Sequence, residues 1–188
     1  MKKLLLLSTI LLVSASGYAT DVKPYVEGKL SENFLKIKVG NGVSSFKDSL
    51  FAGGSFEVGT KIDQFRVGLE GFINEKAEDT FKGYDVKLGV RSKGVFLNAY
   101  YDIPLGEQLK KIKPYVGAGV GHAWYKEIIS VSGIKTGSVK GSHNAWNVGT
   151  GVAYGLDENV DITLGYRFEK LDSDSQNHKV SLGLRYTF

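Results

Sequence analysis

Two-residue alternation of apolar and polar side chains is the feature that most restricts how this chain can fold. A β-strand sends successive side chains to opposite faces, so alternation gives a strand one apolar and one polar face. The pattern is clearest in residues 178–188, where the apolar positions are Val180, Leu182, Leu184, Tyr186 and Phe188. The same alternation recurs in most of the chain, and helical periodicity is scarce. The sequence therefore predicts an all-β protein.

The first 19 residues have the composition of a secretory signal peptide. Two lysines open it, residues 4–13 are mostly apolar, and small residues occupy positions 17 and 19. The apolar run is about half as long as a membrane-spanning helix requires. We therefore expect an exported protein with a signal peptide over residues 1–19 and a mature chain over residues 20–188. The alternative is an N-terminal membrane anchor.

The composition favours a closed barrel and excludes several classes of function. The chain has 24 glycines, 10 tyrosines and 10 phenylalanines but only 3 prolines, a balance typical of antiparallel barrels. It has no cysteine, which excludes disulfides and thiol chemistry. The net formal charge is +4, or +2 without Lys2 and Lys3, which is too balanced to indicate nucleic-acid binding. No apolar run after the signal is long enough for a membrane helix.

Eight alternating segments of the mature chain fit transmembrane strands. The first begins near Lys23, and the others span 50–59, 64–74, 84–103, 114–125, 144–156, 160–171 and 178–188. The connections after the second, fourth and sixth segments are short or moderate, and the remaining ones are on the whole longer or more polar. Outer-membrane barrels have short periplasmic turns, longer outer loops and an even number of strands. The sequence therefore predicts an eight-stranded, antiparallel, up-and-down transmembrane β-barrel with both chain ends in the periplasm.

Aromatic residues agree with this orientation, because they fall near both ends of the predicted strands. The periplasmic set is Phe65, Tyr101, Tyr154, Tyr186 and Phe188, and the outer set is Trp124, Trp146, Tyr166 and Phe168. Amphipathic rings at two levels are typical of the two interfaces of a membrane.

The parity of the alternation changes at two places, which leaves the strand number open. One change lies near Ser92-Lys93-Gly94, where a β-bulge or a tight hairpin would explain it. The other lies between Leu30 and Leu35. Two hairpins would give ten strands, but some of these would be shorter than the roughly 9–11 residues that a tilted span needs. Eight strands are therefore preferred over ten.

Charged residues are expected inside the barrel at the positions that alternate with the apolar face. This inward set is Glu27, Lys29, Arg66, Glu70, Asp85, Lys87, Arg91, Asp161, Arg167, Glu169, Lys179 and Arg185. Both signs occur in similar number, and buried charges must be paired, so the pattern favours a salt-bridged interior that fills the barrel. A gated ion path is the alternative. Inward glycines of segments 114–125 and 144–156 are expected to make room for Arg66, Phe72, Tyr100 and Arg185.

Motifs for catalysis, cofactors or metals are missing from the sequence. It contains no HExxH, CxxC or GxSxG. The three histidines are His122, His143 and His178. The stretch Ser142-His143-Asn144-Ala145 shares Asn-Ala with the His-x-Ser-Asn-Ala motif of lipid A deacylases, but its serine precedes the histidine. We therefore predict no enzyme and no catalytic, cofactor or metal residue.

Three polar stretches are expected to be outer loops. The acidic runs Glu75–Asp79 and Asp172–Asp174 fit solvated loop tips, and a divalent cation that bridges lipopolysaccharide at Glu78 and Asp79, or at Asp172 and Asp174, is the alternative. The basic stretch Lys135–His143 fits a solubilising loop that could touch anionic lipid headgroups.

Two motifs resemble the opacity-type, OmpA-like barrel proteins of the outer membrane. The run Val95–Ile103 contains Asn-x-Tyr-Tyr-Asp, and the run Lys113–Gly121 contains Pro-Tyr-x-Gly-x-Gly-x-Gly. In that family the two motifs descend to a periplasmic turn and rise from it. The C-terminal Arg-Tyr-Thr-Phe also resembles the aromatic signal that the barrel-assembly machinery reads. The resemblance covers residues 21–188.

The resemblance implies a structural or adhesin-like surface role in a Gram-negative outer membrane. The partners it implies are membrane lipids, lipopolysaccharide, the barrel-assembly machinery at the Phe188 strand, and a host or environmental ligand at the outer loops. Larger relatives carry a periplasmic peptidoglycan-binding domain after the barrel; the sequence shows none after Phe188, so a cell-wall tether is not expected. The alternatives are a narrow pore and, in second place, a lipid-modifying enzyme.

Overall fold

The computed structural model describes residues 22–39, 42–45, 51–81, 86–131, 134–170 and 175–188. Nine β-strands make up most of this part of the chain. They are β1 Val22–Val39, β2 Gly42–Ser45, β3 Phe51–Ile62, β4 Phe65–Phe81, β5 Val86–Asp102, β6 Ile112–Val131, β7 Ile134–Gly155, β8 Val160–Lys170 and β9 Ser175–Thr187. A 3-10 turn, Glu107–Leu109, lies between β5 and β6. None of the helical segments in the described ranges is long and apolar enough to cross a bilayer.

Eight of the nine strands close into a barrel. β1 pairs with β3, each strand from β3 to β8 pairs with the next, and every pairing is antiparallel. β1 also pairs with β9, from Tyr25 opposite Thr187 to Ile37 opposite Ser175, which closes the sheet. The predicted eight-stranded up-and-down barrel is therefore confirmed. The short strand β2 pairs with residues 36–39 of β1 and is an addition to the barrel wall.

The hairpins that would have given ten strands are not formed. β1 runs without interruption past Leu30 and Leu35, and β5 pairs continuously with β6 from Val86 to Asp102. The expected bulge near Ser92-Lys93-Gly94 is also misplaced. The irregularity lies in the neighbouring strand, between Asn74 and Ala77 of β4, so that two residues of β4 face one residue of β5.

Short connections lie at one end of the barrel, which we call the turn end; we call the opposite end the outer end. β3 and β4 are joined by a tight turn in which Asp63 has a positive φ of 52°, a conformation that Asp tolerates better than most residues. β7 and β8 are joined by residues 156–159, where the side chain of Asn159 donates to the carbonyl of Thr187. The prediction of short turns at this end is confirmed.

Two expected outer loops are wrong, because the chain continues there as strands. Glu75–Asp79 belongs to β4, and Lys135–His143 belongs to β7. A tilted membrane span needs about 9–11 residues, whereas β6 has 20 and β7 has 22. β4, β5, β6 and β7 therefore extend beyond the barrel wall at the outer end. The acidic pair at Asp172 and Asp174 lies outside the described residues, as do the side chains of Glu78 and Asp79.

The extension forms a four-stranded sheet, which we call the outer sheet. It consists of residues 75–81 of β4, 86–91 of β5, 126–131 of β6 and 134–145 of β7. The pairing of β7 with β8 starts only at Trp146, and the pairing of β3 with β4 ends at Asn74. In the described part of the chain the outer sheet therefore has two unpaired edges, one on β4 and one on β7.

The outward face of the barrel is apolar and carries two bands of rings. Val120, Leu164 and Leu182 are 63%, 51% and 59% exposed. At the turn end Phe65 packs on Tyr101 with ring centroids 5.1 Å apart. Ring pairs at the outer end include Trp146 with Phe168, His178 with Phe168, and Trp124 with His122. An apolar stripe between two aromatic bands is the surface that a bilayer requires.

Candidate functional site

The barrel interior is the first candidate site, and it holds most of the charges that the sequence placed there. The confirmed inward residues are Glu27, Lys29, Arg66, Glu70, Asp161, Arg167, Glu169, Lys179 and Arg185. Arg91 was placed inside wrongly. It is exposed, because alternation along β5 puts it on the same face as Lys93 and Val95. The side chains of Asp85 and Lys87 lie outside the described part of the structure.

Two buried carboxylates form the centre of the interior network. The carboxylate of Glu57, which is 0% exposed, accepts from the Tyr25 hydroxyl and from the Tyr100 hydroxyl at 2.8 Å. Lys29 Nζ lies 3.1 Å from Glu57 and 3.2 Å from Glu70. The Asn98 amide donates to the same two carboxylates at 3.1 and 3.0 Å. Lys29 and Asn98 therefore bridge two acids that would otherwise repel each other.

Arg167 completes the centre by binding Glu70 with both ends of its guanidinium. Its Nη1 and Nη2 lie 3.0 and 2.7 Å from the two carboxylate oxygens of Glu70. Bidentate pairs of this kind are strong and directional. Glu70 accepts from residues of three other strands, so the pair connects β4 across the barrel to β8, β5 and β1.

Two further carboxylates lie near the turn end, and each is paired with two cationic side chains. Asp102 accepts from Arg66 Nε at 2.9 Å and from Lys61 Nζ at 3.0 Å. On the other side of the barrel, Asp161 accepts from Arg185 Nη2 and from Lys113 Nζ, both at 2.7 Å. The sequence prediction omitted Lys61, Asp102 and Lys113, although each occupies a position of inward parity.

A small apolar layer lies between the charged centre and the outer end. The rings of Phe72 and Phe96 stack with centroids 5.4 Å apart, and Ala123 and Ala145 complete the layer. Lys179 lies beside it, with Nζ 4.9 Å from the Phe72 ring centroid and 2.8 Å from Glu169. The interior at this level is therefore filled by apolar side chains on the β4 to β7 side and by the Lys179–Glu169 pair beside them.

Little space remains in the middle of the barrel. A cavity of about 20 Å³ is lined by residues that include Lys29, Arg66 and Arg167, which is room for about one water molecule. Glycines let the large side chains approach: a Cβ on Gly117 would lie 2.3 Å from Tyr100 Cδ1. Tyr100 was predicted to need this space. The other three expected contacts are wrong. Phe72 lies against Gly94 of β5, and neither Arg66 nor Arg185 is among the atoms nearest the inward glycines of β6 and β7.

The histidines do not form a catalytic arrangement in the described residues. His122 faces outward and its Nδ1 lies 3.1 Å from Asn144 Oδ1. His143 faces inward and stacks on Tyr125, whereas its neighbour Ser142 is exposed on the other face. His178 lies 2.6 Å from the Tyr166 hydroxyl in the outer ring band. In the part of the chain that is described, no group of three or more His, Asp or Glu residues is arranged to hold a metal.

A closed barrel with an apolar outside, two ring bands and a charged, filled interior defines a transmembrane barrel protein. The family profile described as "Outer membrane protein beta-barrel domain" matches residues 4–188. The chain belongs to this family and is a protein of the Gram-negative outer membrane. The resemblance to OmpA-like barrel proteins is thereby confirmed at the level of the family.

Solved structures of small outer-membrane barrels share the fold. Neisserial surface protein A has a TM-score of 0.64 at 19% identity, with 89% of this chain and 99% of that chain covered. Ail, the attachment invasion locus protein of Yersinia pestis, has a TM-score of 0.58 at 18% identity, with 90% and 100% covered. The N-terminal barrel domain of OprF from Pseudomonas aeruginosa has a TM-score of 0.57 at 15% identity, with 89% of this chain and 100% of that chain covered. No curated protein sequence matches the chain significantly.

Proposed function

We propose that this protein is a non-enzymatic membrane anchor that presents the outer sheet for binding to external partners, an adhesin-like role. The observation that carries the proposal is the unpaired edge of β7. Residues 134–145 have no strand beside them on the β8 side within the described ranges. Such an edge offers a row of backbone donors and acceptors to an extended segment of another molecule.

The construction of the molecule supports this role in two further ways. The central acids of the interior, Glu57 and Glu70, are bound by neighbouring side chains, and the cavity beside them holds only about 20 Å³, so the middle of the barrel leaves little room for a substrate. The related fold of Ail has been solved in complex with the heparin analogue sucrose octasulfate, which is an external ligand of an outer-membrane barrel. The outer end is therefore the part of the molecule on which binding is expected.

Shortening the β6–β7 hairpin is expected to abolish adhesion while leaving the barrel intact. Replacing residues 127–139 by Asn-Gly closes the turn on the pair Lys126 and Lys140, a linkage that suits a two-residue hairpin. It removes residues 134–139, half of the free edge of β7. Attachment of non-adherent bacteria that carry the full chain, measured on cultured epithelial cells and heparin-coated beads, should fall to the level of bacteria without it.

A graded variant serves as the control for this experiment. Replacing only residues 130–136 by Asn-Gly removes the hairpin tip but keeps the edge from Gly137 onward. It should retain much of the attachment. Heat-dependent migration in detergent gels verifies that both variants form barrels. Full attachment by bacteria that carry the variant without residues 127–139 would contradict the proposal.

The filled interior is expected to give no stable conductance in planar bilayers. Any ion path would have to pass the paired charges around Glu70 and then the level where Phe72 and Phe96 lie beside the Lys179–Glu169 pair. Because both layers are packed, purified protein should give no steps of uniform size across a range of voltages. Reproducible steps of one size would favour the narrow pore instead.

Two expectations about export remain predictions. They are the signal peptide over residues 1–19 and the recognition of the C-terminal strand by the barrel-assembly machinery. The second is supported by the position of this strand: β9 pairs with β1 and closes the barrel, and its last residue, Phe188, is exposed beside Tyr186.

A further inference from the structure

Three cations lie side by side on the outward face at the base of the outer sheet. Arg91 of β5 is directly opposite Lys126 of β6, and Lys126 is directly opposite Lys140 of β7. We call these three residues the cation row. A fourth cation, Lys93, lies on the same face two residues nearer the membrane. Directly opposed side chains have Cβ atoms about 4.5–5.5 Å apart, and like charges at that spacing destabilise a sheet.

The cation row differs from the charges inside the barrel. Inside, Lys29, Arg66 and Arg167 each lie within 3.2 Å of a carboxylate oxygen. Among the side chains that the structure describes, none of the four outward cations forms an ion pair. The repulsion in the row is therefore not relieved by the described part of the protein. An anion placed between the cations would turn this repulsion into attraction.

The surroundings of the row indicate what kind of anion fits. Lys93 is directly opposite Trp124, a member of the outer ring band, so the cations lie at the level of lipid headgroups. The four cations, Trp124 and Ile73 line a groove of about 620 Å³, together with the alternate residues Asn74, Ser92, Tyr125 and Gly141 of the same strands. Below Lys93 the same face of β5 continues with Val95 and Leu97, which are exposed and apolar. From the outer end toward the middle of the barrel, the surface therefore carries first the cations, then the ring of Trp124, and then the apolar stripe.

We propose that the cation row binds the phosphate groups of a phosphorylated sugar headgroup on an outer-leaflet lipid. The cations bind the phosphates, the Trp124 ring packs against the sugar, and the acyl chains lie on the apolar stripe nearer the middle of the membrane. A soluble polyanion would use the cations alone, so the ring and the stripe favour the lipid. Lys140 lies on the edge strand β7, but the proposal uses its outward side chain and not the unpaired backbone of that edge, so it does not depend on the proposed adhesin-like role.

Tryptophan fluorescence tests the proposal, because the chain has two tryptophans and both lie in the outer ring band. In the full chain with Trp146→Phe, Trp124 alone reports on the groove. The protein, held in uncharged detergent micelles, is titrated with diphosphorylated lipid A and with the same lipid after removal of its phosphates. We expect a change in Trp124 emission with the phosphorylated lipid and at least tenfold weaker binding of the dephosphorylated one.

The charge variants decide whether the row is responsible. Lys126→Gln with Lys140→Gln should weaken binding of the phosphorylated lipid about tenfold, because each cation near an anionic surface contributes separately. The matched control is Lys110→Gln with Lys111→Gln, which removes the same charge from exposed positions at the turn end and should change nothing. Equal weakening by both variants, or no weakening by the first, would overturn the proposal.

A competition experiment distinguishes the lipid from a soluble source of the same chemistry. Sucrose octasulfate and inorganic phosphate are titrated into the same micelles. Under the proposal neither displaces the phosphorylated lipid at equal concentration. If sucrose octasulfate binds as tightly as the lipid and is lost in the Lys126→Gln, Lys140→Gln variant, the row is a soluble-polyanion site and the lipid assignment is wrong.

Discussion

Replacing Glu70 with alanine is expected to lower the free energy of unfolding by about 3–5 kcal/mol, the usual range when one partner of a buried ion pair is removed. The change leaves Arg167 without its bidentate partner and removes one of the three carboxylates that pair with Lys29. The Asn98 amide also loses an acceptor. Urea-dependent unfolding in phosphatidylcholine vesicles, followed by tryptophan fluorescence, measures the loss.

Two further variants separate a lost ion pair from a lost side chain. Replacing both partners by apolar residues of similar size, Glu70→Leu with Arg167→Met, should recover most of the stability, because no uncompensated charge then remains. Glu158→Ala, in an exposed turn, should change stability by about 0.5 kcal/mol or less. A loss below about 1 kcal/mol for Glu70→Ala would mean that water reaches Arg167 and that the interior is less closed than the packing indicates.

The predicted effect is large because the interior charges are connected across the barrel. Glu57 and Glu70 share two donors, and Arg167 also reaches Glu169 at 3.7 Å. The connection continues to Lys179, which pairs with Glu169 at 2.8 Å and lies beside the Phe72 ring. Removing a central acid therefore affects several strands at once. The same connection explains how a barrel with a polar interior keeps one register.

Alternation along the chain was sufficient to predict the barrel and most of its interior, because parity assigns each side chain to a face. The same rule could have found Glu57 and Asp102, which were missed. Glu57 lies between Phe56 and Val58, and Asp102 follows Tyr101; all three neighbours face outward. The acids must then face inward. The parity of both residues is present in the sequence, but they were not included in the predicted inward set.

The outer end could not be predicted in the same way. Glu75–Asp79 and Lys135–His143 have the polar composition of loops, but neighbouring strands supply hydrogen-bond partners, and this overrides local preference. Arg91 was misassigned because a bulge was expected in β5, whereas β5 alternates without interruption and the bulge lies in β4. The register in which two strands pair depends on both strands, so it cannot be predicted from the sequence of one of them. The meeting of Lys126 with Lys140, on which the cation row depends, therefore became visible only in the structure.

The second large effect is expected on the lipid side of the barrel, at Leu182. This residue lies on β9 midway between His178 of the outer ring band and Tyr186 at the turn end. If this stripe lies in the hydrocarbon, Leu182→Arg places a charge at its middle, which costs about 2–4 kcal/mol of folding free energy. The same vesicle-based urea titration measures it.

The depth dependence makes this prediction specific for a membrane. Ile112→Arg places the same side chain at the turn end of β6, near the expected interface, where the cost is about 0–1 kcal/mol. A soluble barrel would have no hydrocarbon layer, so two exposed positions would then tolerate arginine equally well. Equal effects at Leu182 and Ile112 would therefore contradict the assignment of the outward stripe to lipid, because a bilayer alone distinguishes the middle of a strand from its end.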